Sequence, residues 1–244
     1  MIGRMSRVRT VRALPPREIG RLDGLAYSLW LPDTGPPTGG VVIFHGAGSC
    51  KESHHDFARA AVAAGLGAIA FDQRGHGESE GALDGRVLED AALMAALLRD
   101  RLGSSEAPLA VRGSSMGGYL ALVAARPLRA RAAVAICPAS SFGLARGLRA
   151  GRFSFAADAT SLEAFLLDHP LEDEVPILDM PLLLLHAEGD EQVPVQHSRE
   201  LAGLAQHSGS RLVTVPGGHH RSVQHDAELQ AVSLRFILAA LPSG

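Results

Sequence analysis

The chain has 244 residues, 46% of them hydrophobic and 20% charged, with a formal net charge of −3 at pH 7. A chain of this length can bury about three quarters of its unfolded surface, so residues 1–244 are expected to form one α/β domain without a metal or disulfide staple. The charge excludes a global positive field for nucleic acid, and the basic residues are almost all arginine, with Lys51 the only lysine.

Arg7 and Arg9 alternate with Val8 and Thr10, in a cluster with Arg4, Arg12 and Arg17, as the solvated face of an edge strand does. Apolar bursts of strand length follow near 25–31, 40–45, 67–71, 108–112, 132–137, 181–186 and 211–215. Ala/Leu-rich stretches of helical period stand near 52–65, 86–102, 115–126, 195–206 and 222–241. This alternation predicts βα units on a mostly parallel central sheet flanked by helices. Several of the strands are apolar almost throughout, which fits burial on both faces. No internal repeat or low-complexity linker interrupts the pattern.

The alternation breaks once, between Pro138 and Met180, over a span too long for an ordinary connection. It contains Phe142, Leu144, Leu148, Phe153, Phe155, Phe165, Leu166 and Leu167, with Arg146, Arg149 and Arg152 interspersed. Residues 138–180 are therefore read as a small cap-like insertion. The competing reading is a packing excursion over a sheet edge, with the arginines as a solvated face.

Leu109–Ala125, LAVRGSSMGGYLALVAA, presents Ser115 where a strand turns abruptly into a helix. Glycines at 113, 117 and 118 remove side chains that would clash in so tight a bend. This is the G-x-S-x-G nucleophile elbow, which exposes a hydroxyl above a sheet and aims helix N–H groups at an incoming oxyanion. A second match, Gly77-Glu78-Ser79-Glu80-Gly81, lacks the strand-turn-helix setting and reads as loop.

A serine hydroxyl needs a base, and the base needs a group that orients it. Beyond the strand at 181–186 comes His186-Ala187-Glu188-Gly189-Asp190-Glu191-Gln192-Val193-Pro194, from which Asp190 is taken as the acid, with Glu188 and Glu191 as rivals. Beyond the strand at 211–215 stands Pro216-Gly217-Gly218-His219-His220-Arg221, which carries histidine on a flexible loop. The chain order Ser, Asp, His is the α/β-hydrolase order. The adjacent pairs His54-His55 and His219-His220 suit no zinc site, because neighbours on a regular element point apart and no H-E-x-x-H or C-x-x-C spacing occurs.

These residues resemble a small α/β-hydrolase-fold serine hydrolase of the esterase, lipase and serine-aminopeptidase superfamily, from about Leu25 to the C-terminus. Four motifs carry the likeness: His45-Gly46-Ala47-Gly48, Asp72-Gln73-Arg74-Gly75-His76-Gly77-Glu78-Ser79, Gly113 to Gly118, and Asp190-Glu191-Gln192-Val193-Pro194 before the His loop. The resemblance places the base at the fifth position of the P-G-x-x-H loop, His220, with His219 its neighbour and rival. It also implies an oxyanion hole made by the backbone N–H groups of Ala47 and Met116, no cofactor, and no catalytic part for Arg74 or His76. His225 is expected at the surface.

The expected activity is hydrolysis of carboxylic esters of small or medium acyl groups through an acyl-enzyme on Ser115. Thioester or peptide hydrolysis would use the same triad, and a non-catalytic ligand-binding receptor would keep the fold without turnover. The expected partner is a small-molecule acyl ester, with no nucleic acid and no membrane. Only Cys50 and Cys137 occur, no early apolar run is long enough for a signal-peptide core, and none is long enough to span a bilayer, so a cytoplasmic location is expected. Cys50 beside the HGAG turn is read as a packing residue. The sequence carries no signal for the alcohol, the acyl length or the oligomeric state.

Overall fold

The computed structural model describes residues 14–33 and 35–241. The Arg7 and Arg9 edge-strand reading falls outside these residues. Strands β1 (Glu18–Leu22), β2 (Leu25–Trp30), β3 (Gly40–Phe44), β4 (Gly67–Phe71), β5 (Leu109–Ser114), β6 (Ala132–Ile136), β7 (Leu182–Ala187) and β8 (Arg211–Val215) form one sheet in the order β1-β2-β4-β3-β5-β6-β7-β8. The first two ladders are antiparallel and the remaining five parallel. Strands β2 to β7 are buried throughout, which is why their sequences are continuously apolar rather than alternating.

The helices that follow the parallel strands cover the sheet on both sides. One face meets α2 (Val87–Arg101), α3 (Met116–Ala125) and α7 (Val195–Leu204); the other meets α1 (His55–Ala63) and α9 (Ala227–Ala240). Every residue of α3 is buried, so this helix runs through the core instead of lying on it. The order reverses between β3 and β5, since the chain goes from β3 to β4 on one side and returns to β5 on the other. Such a reversal opens a crevice at the carboxyl ends of the strands.

Several boundaries differ from the sequence expectation for local reasons. Strand β1 was not expected, because its mostly exposed residues lack an apolar run; Asp23-Gly24, with φ of 48° and 79°, turns it back onto β2 as a tight hairpin. The stretch at 52–65 begins as a 3-10 turn over Lys51–His54 before α1. The stretch at 222–241 is two helices, α8 (Ser222–His225) and α9, divided at Asp226, whose extended backbone (φ −67°, ψ 121°) lets its carboxylate accept the N–H groups of Glu228 and Leu229.

Residues 138–180 contain α4 (Ser141–Arg149), α5 (Ala159–Asp168) and α6 (Leu171–Glu174). Ser140 caps α4 by accepting from Gly143 N–H, and Asp158 caps α5 by accepting from Ser161 N–H. The excursion is pinned to the loop after β4 by three backbone bonds, Leu83 N–H to Ala156 O (2.9 Å), Asp158 N–H to Leu83 O (2.9 Å) and Ala156 N–H to Gly75 O (3.3 Å). On its outer face Arg149 pairs with Glu163, while Arg146 and Arg152 are exposed.

Candidate active site

Because β3, β5, β6, β7 and β8 run parallel, their carboxyl ends lie along one edge of the sheet, and each candidate residue follows one of them. Ala47 follows β3, Ser115 and Met116 follow β5, Asp190 follows β7 and His220 follows β8.

Ser115 has φ 57° and ψ −120°, a conformation that costs a side-chain-bearing residue about 1–3 kcal/mol and persists only where its surroundings impose it. Here its N–H donates to Ile136 O (2.9 Å), and its carbonyl accepts from Tyr119 N–H (3.0 Å) and Ala139 N–H (3.1 Å). The bend also needs bare backbone. A Cβ on Gly113 would lie 1.9 Å from Gly117 O, and one on Gly117 would lie 2.2 Å from Phe44 O. The turn after β3 packs alongside, since a Cβ at Gly46 would stand 3.2 Å from Ser114 O and 3.4 Å from Ser115 Cβ.

That turn is braced by His45. Its Nδ1–H donates to Gly46 O (2.8 Å), its Nε2 accepts from Gln73 N–H (3.0 Å), and its carbonyl accepts from Gln73 Nε2 (2.7 Å). Burial pushes the ring down to about 4, so it stays neutral with the proton on Nδ1. Lys51 adds a second brace: its backbone N–H and its ammonium both donate to the fully buried Asp72 (2.6 and 2.9 Å), and the ammonium also reaches Glu78 (2.6 Å). Burial alone would lower this ammonium's pKa, but the bonds to Asp72, Glu78 and Glu52 outweigh it and raise it. Among the described residues, neither Ala47 N–H nor Met116 N–H has a protein acceptor.

At the other side of the elbow, His220 Nδ1–H donates to Asp190 Oδ2 at 2.7 Å. The carboxylate is wholly buried, and its Oδ1 accepts the N–H groups of Gln192 (2.8 Å) and Val193 (2.9 Å). Burial by itself would raise Asp190; the Val193 N–H and His220 bonds prevail and hold it below the usual carboxylate range. Of its two rivals, Glu191 accepts the backbone N–H of His220 (3.2 Å), and Glu188 pairs with Arg199 at the surface (3.3 Å). His219 is exposed. Cys137, directly after β6, has its sulfur within 4.8 Å of the Asp190 and His220 ligand atoms. Since β6 is the neighbour of β5 and Ile136 accepts the Ser115 N–H, this contact carries the imidazole back to the strand beside the elbow. Burial raises the Cys137 thiol, which keeps its proton.

The remaining motif residues serve structure. Ser79 Oγ donates to Asp72 O and accepts from Ala26 N–H. Arg74 holds Asp90 and Asp23, and His225 pairs with Asp56 (2.9 Å). Cys50 is half-buried, with its thiol raised by burial.

A family model described as serine aminopeptidase, S33, matches residues 35–166, more than half of the chain. The chain belongs to this family. It is therefore an α/β-hydrolase-fold serine hydrolase, and the matched span holds the turn after β3, the loop after β4 and the elbow. A monoacylglycerol lipase of Mycolicibacterium smegmatis is 28% identical over 245 residues, covering 80% of this chain and 85% of that protein. The YfhR protein of Escherichia coli O157:H7 is 26% identical over 234 residues, covering 90% and 78%. A soluble variant of monoglyceride lipase from Saccharomyces cerevisiae, solved with a substrate analogue, superposes with a TM-score of 0.74 at 16% identity over all of both chains, a likeness of fold.

Two cavities differ sharply in this S33-family chain. The larger, about 770 Å³, lies among Arg126, Arg131, Asp179 and Ala240 at the amino end of the parallel strands, away from the elbow. The smaller is wholly apolar and lies beside Met116, between Tyr119 and Leu120 of α3 and Leu144, Leu148, Phe153, Phe155, Leu162 and Leu166 of the excursion. It encloses only about 10 Å³ and adjoins Met116, the residue directly after Ser115.

Proposed function

We propose that this chain hydrolyses carboxylic esters with an apolar acyl group, through an acyl-enzyme on Ser115, with His220 as base and Asp190 as the acid that orients it. The observation that carries the reading is the 2.7 Å bond from His220 Nδ1–H to a buried carboxylate, both within 4.8 Å of Cys137 at the end of β6, the strand paired with the one that ends at the strained Ser115 turn. With Nδ1 committed to Asp190, Nε2 is the nitrogen left to take the Ser115 proton. Among the described residues Ser115 Oγ makes no hydrogen bond; in free enzymes the nucleophile–base bond is often long and tightens once substrate is bound.

In this mechanism Ser115 Oγ attacks the acyl carbon while its proton passes to His220 Nε2. The carbonyl oxygen becomes an oxyanion facing the unpaired N–H groups of Ala47 and Met116, each worth on the order of 10²–10³ in rate. Collapse breaks the ester C–O bond, and the imidazolium returns the proton to the departing alcohol. Water then repeats the attack and frees the acid. Residues 138–180 serve as the cap, and their apolar wall against α3 receives the acyl chain. No charged group lines that wall, which favours an acyl ester over a peptide amino terminus; the monoacylglycerol lipase relative supports the same choice.

The test uses nitrophenyl esters and a fluorophosphonate probe. Folded Ser115→Ala is expected to lose ester turnover and labelling, and Asp190→Asn to lower kcat on the order of 10³–10⁴-fold. Full activity in Ser115→Ala sinks the proposal; an unlabelled wild-type protein would favour a ligand-binding receptor.

A further inference from the structure

His186 has no part in the mechanism above, yet it is wholly buried against the Asp190 carboxylate. Its Nε2 lies 2.9 Å from Val193 O and 3.3 Å from Asp190 Oδ2, the oxygen that accepts from His220. A carbonyl and a carboxylate only accept, so Nε2 carries the hydrogen. Nδ1 is then the acceptor, and the wholly buried Ser198 hydroxyl on α7, 2.7 Å away, donates to it. Burial lowers the ring's pKa and keeps it neutral.

We propose that His186 is a positioning residue for the Asp190–His220 pair, referencing the carboxylate on its turn to the rigid strand β7; this rests on the triad reading under the proposed function. His186 is paired in the sheet opposite Thr214, whereas Asp190 lies beyond the strand end. Val193 closes the link, since its N–H holds Asp190 Oδ1 while its carbonyl is held by His186. Nε2 also stands 3.3 Å from Oδ2 without a hydrogen bond to it, so the link from His186 to the carboxylate runs through Val193. Partners of this kind fix the orientation of the groups they contact and tune their basicity.

The titratable groups around the pair come from four places. They are Cys137 after β6, Glu191 on Asp190's own turn, His220 on the loop after β8, and His197 on α7. Among them only His220 donates an N–H to Asp190.

The experiment measures kcat, KM and the pH profile of kcat/KM on a nitrophenyl ester, with melting temperatures. His186→Leu is expected to lower kcat about 10–100-fold with little change in KM. It should also move the acid limb to higher pH, because a carboxylate whose Val193 N–H bond is loosened holds the imidazolium more tightly. His186→Gln, whose amide N–H reaches the Nε2 place, should restore most of kcat and return the limb. Ser198→Ala, which frees the tautomer, should act in the same direction but less. An unmoved limb in folded His186→Leu, or a kcat loss that Gln does not repair, overturns the proposal. Should the Leu variant fail to fold, an unmoved limb in Ser198→Ala overturns it. Labelling of wild-type Ser115 separates this failure from failure of the triad reading, which would leave the wild-type serine unlabelled.

Discussion

At the scale of single residues, the turn after β3 depends on the chain's one lysine. Lys51 is 1% exposed, and its charge stands against an Asp72 carboxylate that is 0% exposed. Replacing one partner of such a pair leaves an uncompensated buried charge, so Lys51→Met is expected to destabilise by about 3–5 kcal/mol in urea titration. Because its backbone N–H also donates to Asp72, the turn after β3 should loosen, and kcat should fall with it. An unchanged urea midpoint would refute this account. The tight turn at Ser115 and the need for glycines 113 and 117 were legible in the sequence, since backbone sterics within one turn depend on near neighbours. The partnership of Lys51 and Asp72 was not, because it joins the 3-10 turn at Lys51–His54 to the end of β4.

At the scale of elements, α3 and the 138–180 excursion form an apolar seam beside Met116. Leu148 of α4 and Phe153 narrow it, with Phe153 stacked on Phe155 at 5.1 Å between ring centres. Truncating a side chain there enlarges the space for an acyl chain. Leu148→Ala is expected to move the preferred acyl length up by roughly two carbons, at a stability cost of about 1–3 kcal/mol. A nitrophenyl-ester series from acetate to decanoate checks it; an unchanged optimum would place the acyl chain elsewhere. The apolar content of this stretch announced that it covers something. Its three helices escaped notice because α4 and α5 are short and start from Ser140 and Asp158 caps, whose side-chain bonds no periodicity reveals.

At the scale of the whole molecule, burial gives many histidines the same response to acid. Desolvation lowers His45, His54, His55, His76, His186 and His197, with His45 brought to about 4. Below about pH 6.5 the unfolded chain takes up protons at these rings that the folded chain refuses, so stability falls as pH falls. Each fully engaged ring contributes about 1.4 kcal/mol per pH unit, against a total stability of about 5–15 kcal/mol. Stability should therefore decline steadily from pH 7 to pH 4. Below that, the depressed carboxylates of Asp56 and Asp190 continue the decline with the same sign, as they protonate. Urea midpoints measured across this range test it, and a flat profile between pH 6.5 and 4.5 would contradict it.

The sequence by itself determined the βα alternation, the strand-turn-helix setting of Ser115 and the order in which serine, acid and histidine are met. These follow from side-chain periodicity and local sterics, which are written in neighbouring residues. Only the tertiary structure decided that Asp190, not Glu188 or Glu191, meets the His220 ring, that His186 is buried 3.3 Å from that carboxylate, and that Glu18–Leu22 forms one edge of the described sheet. Those outcomes depend on how strand order and loop paths bring distant segments together. Three carboxylates within four residues look alike in a sequence until the fold turns one of them inward.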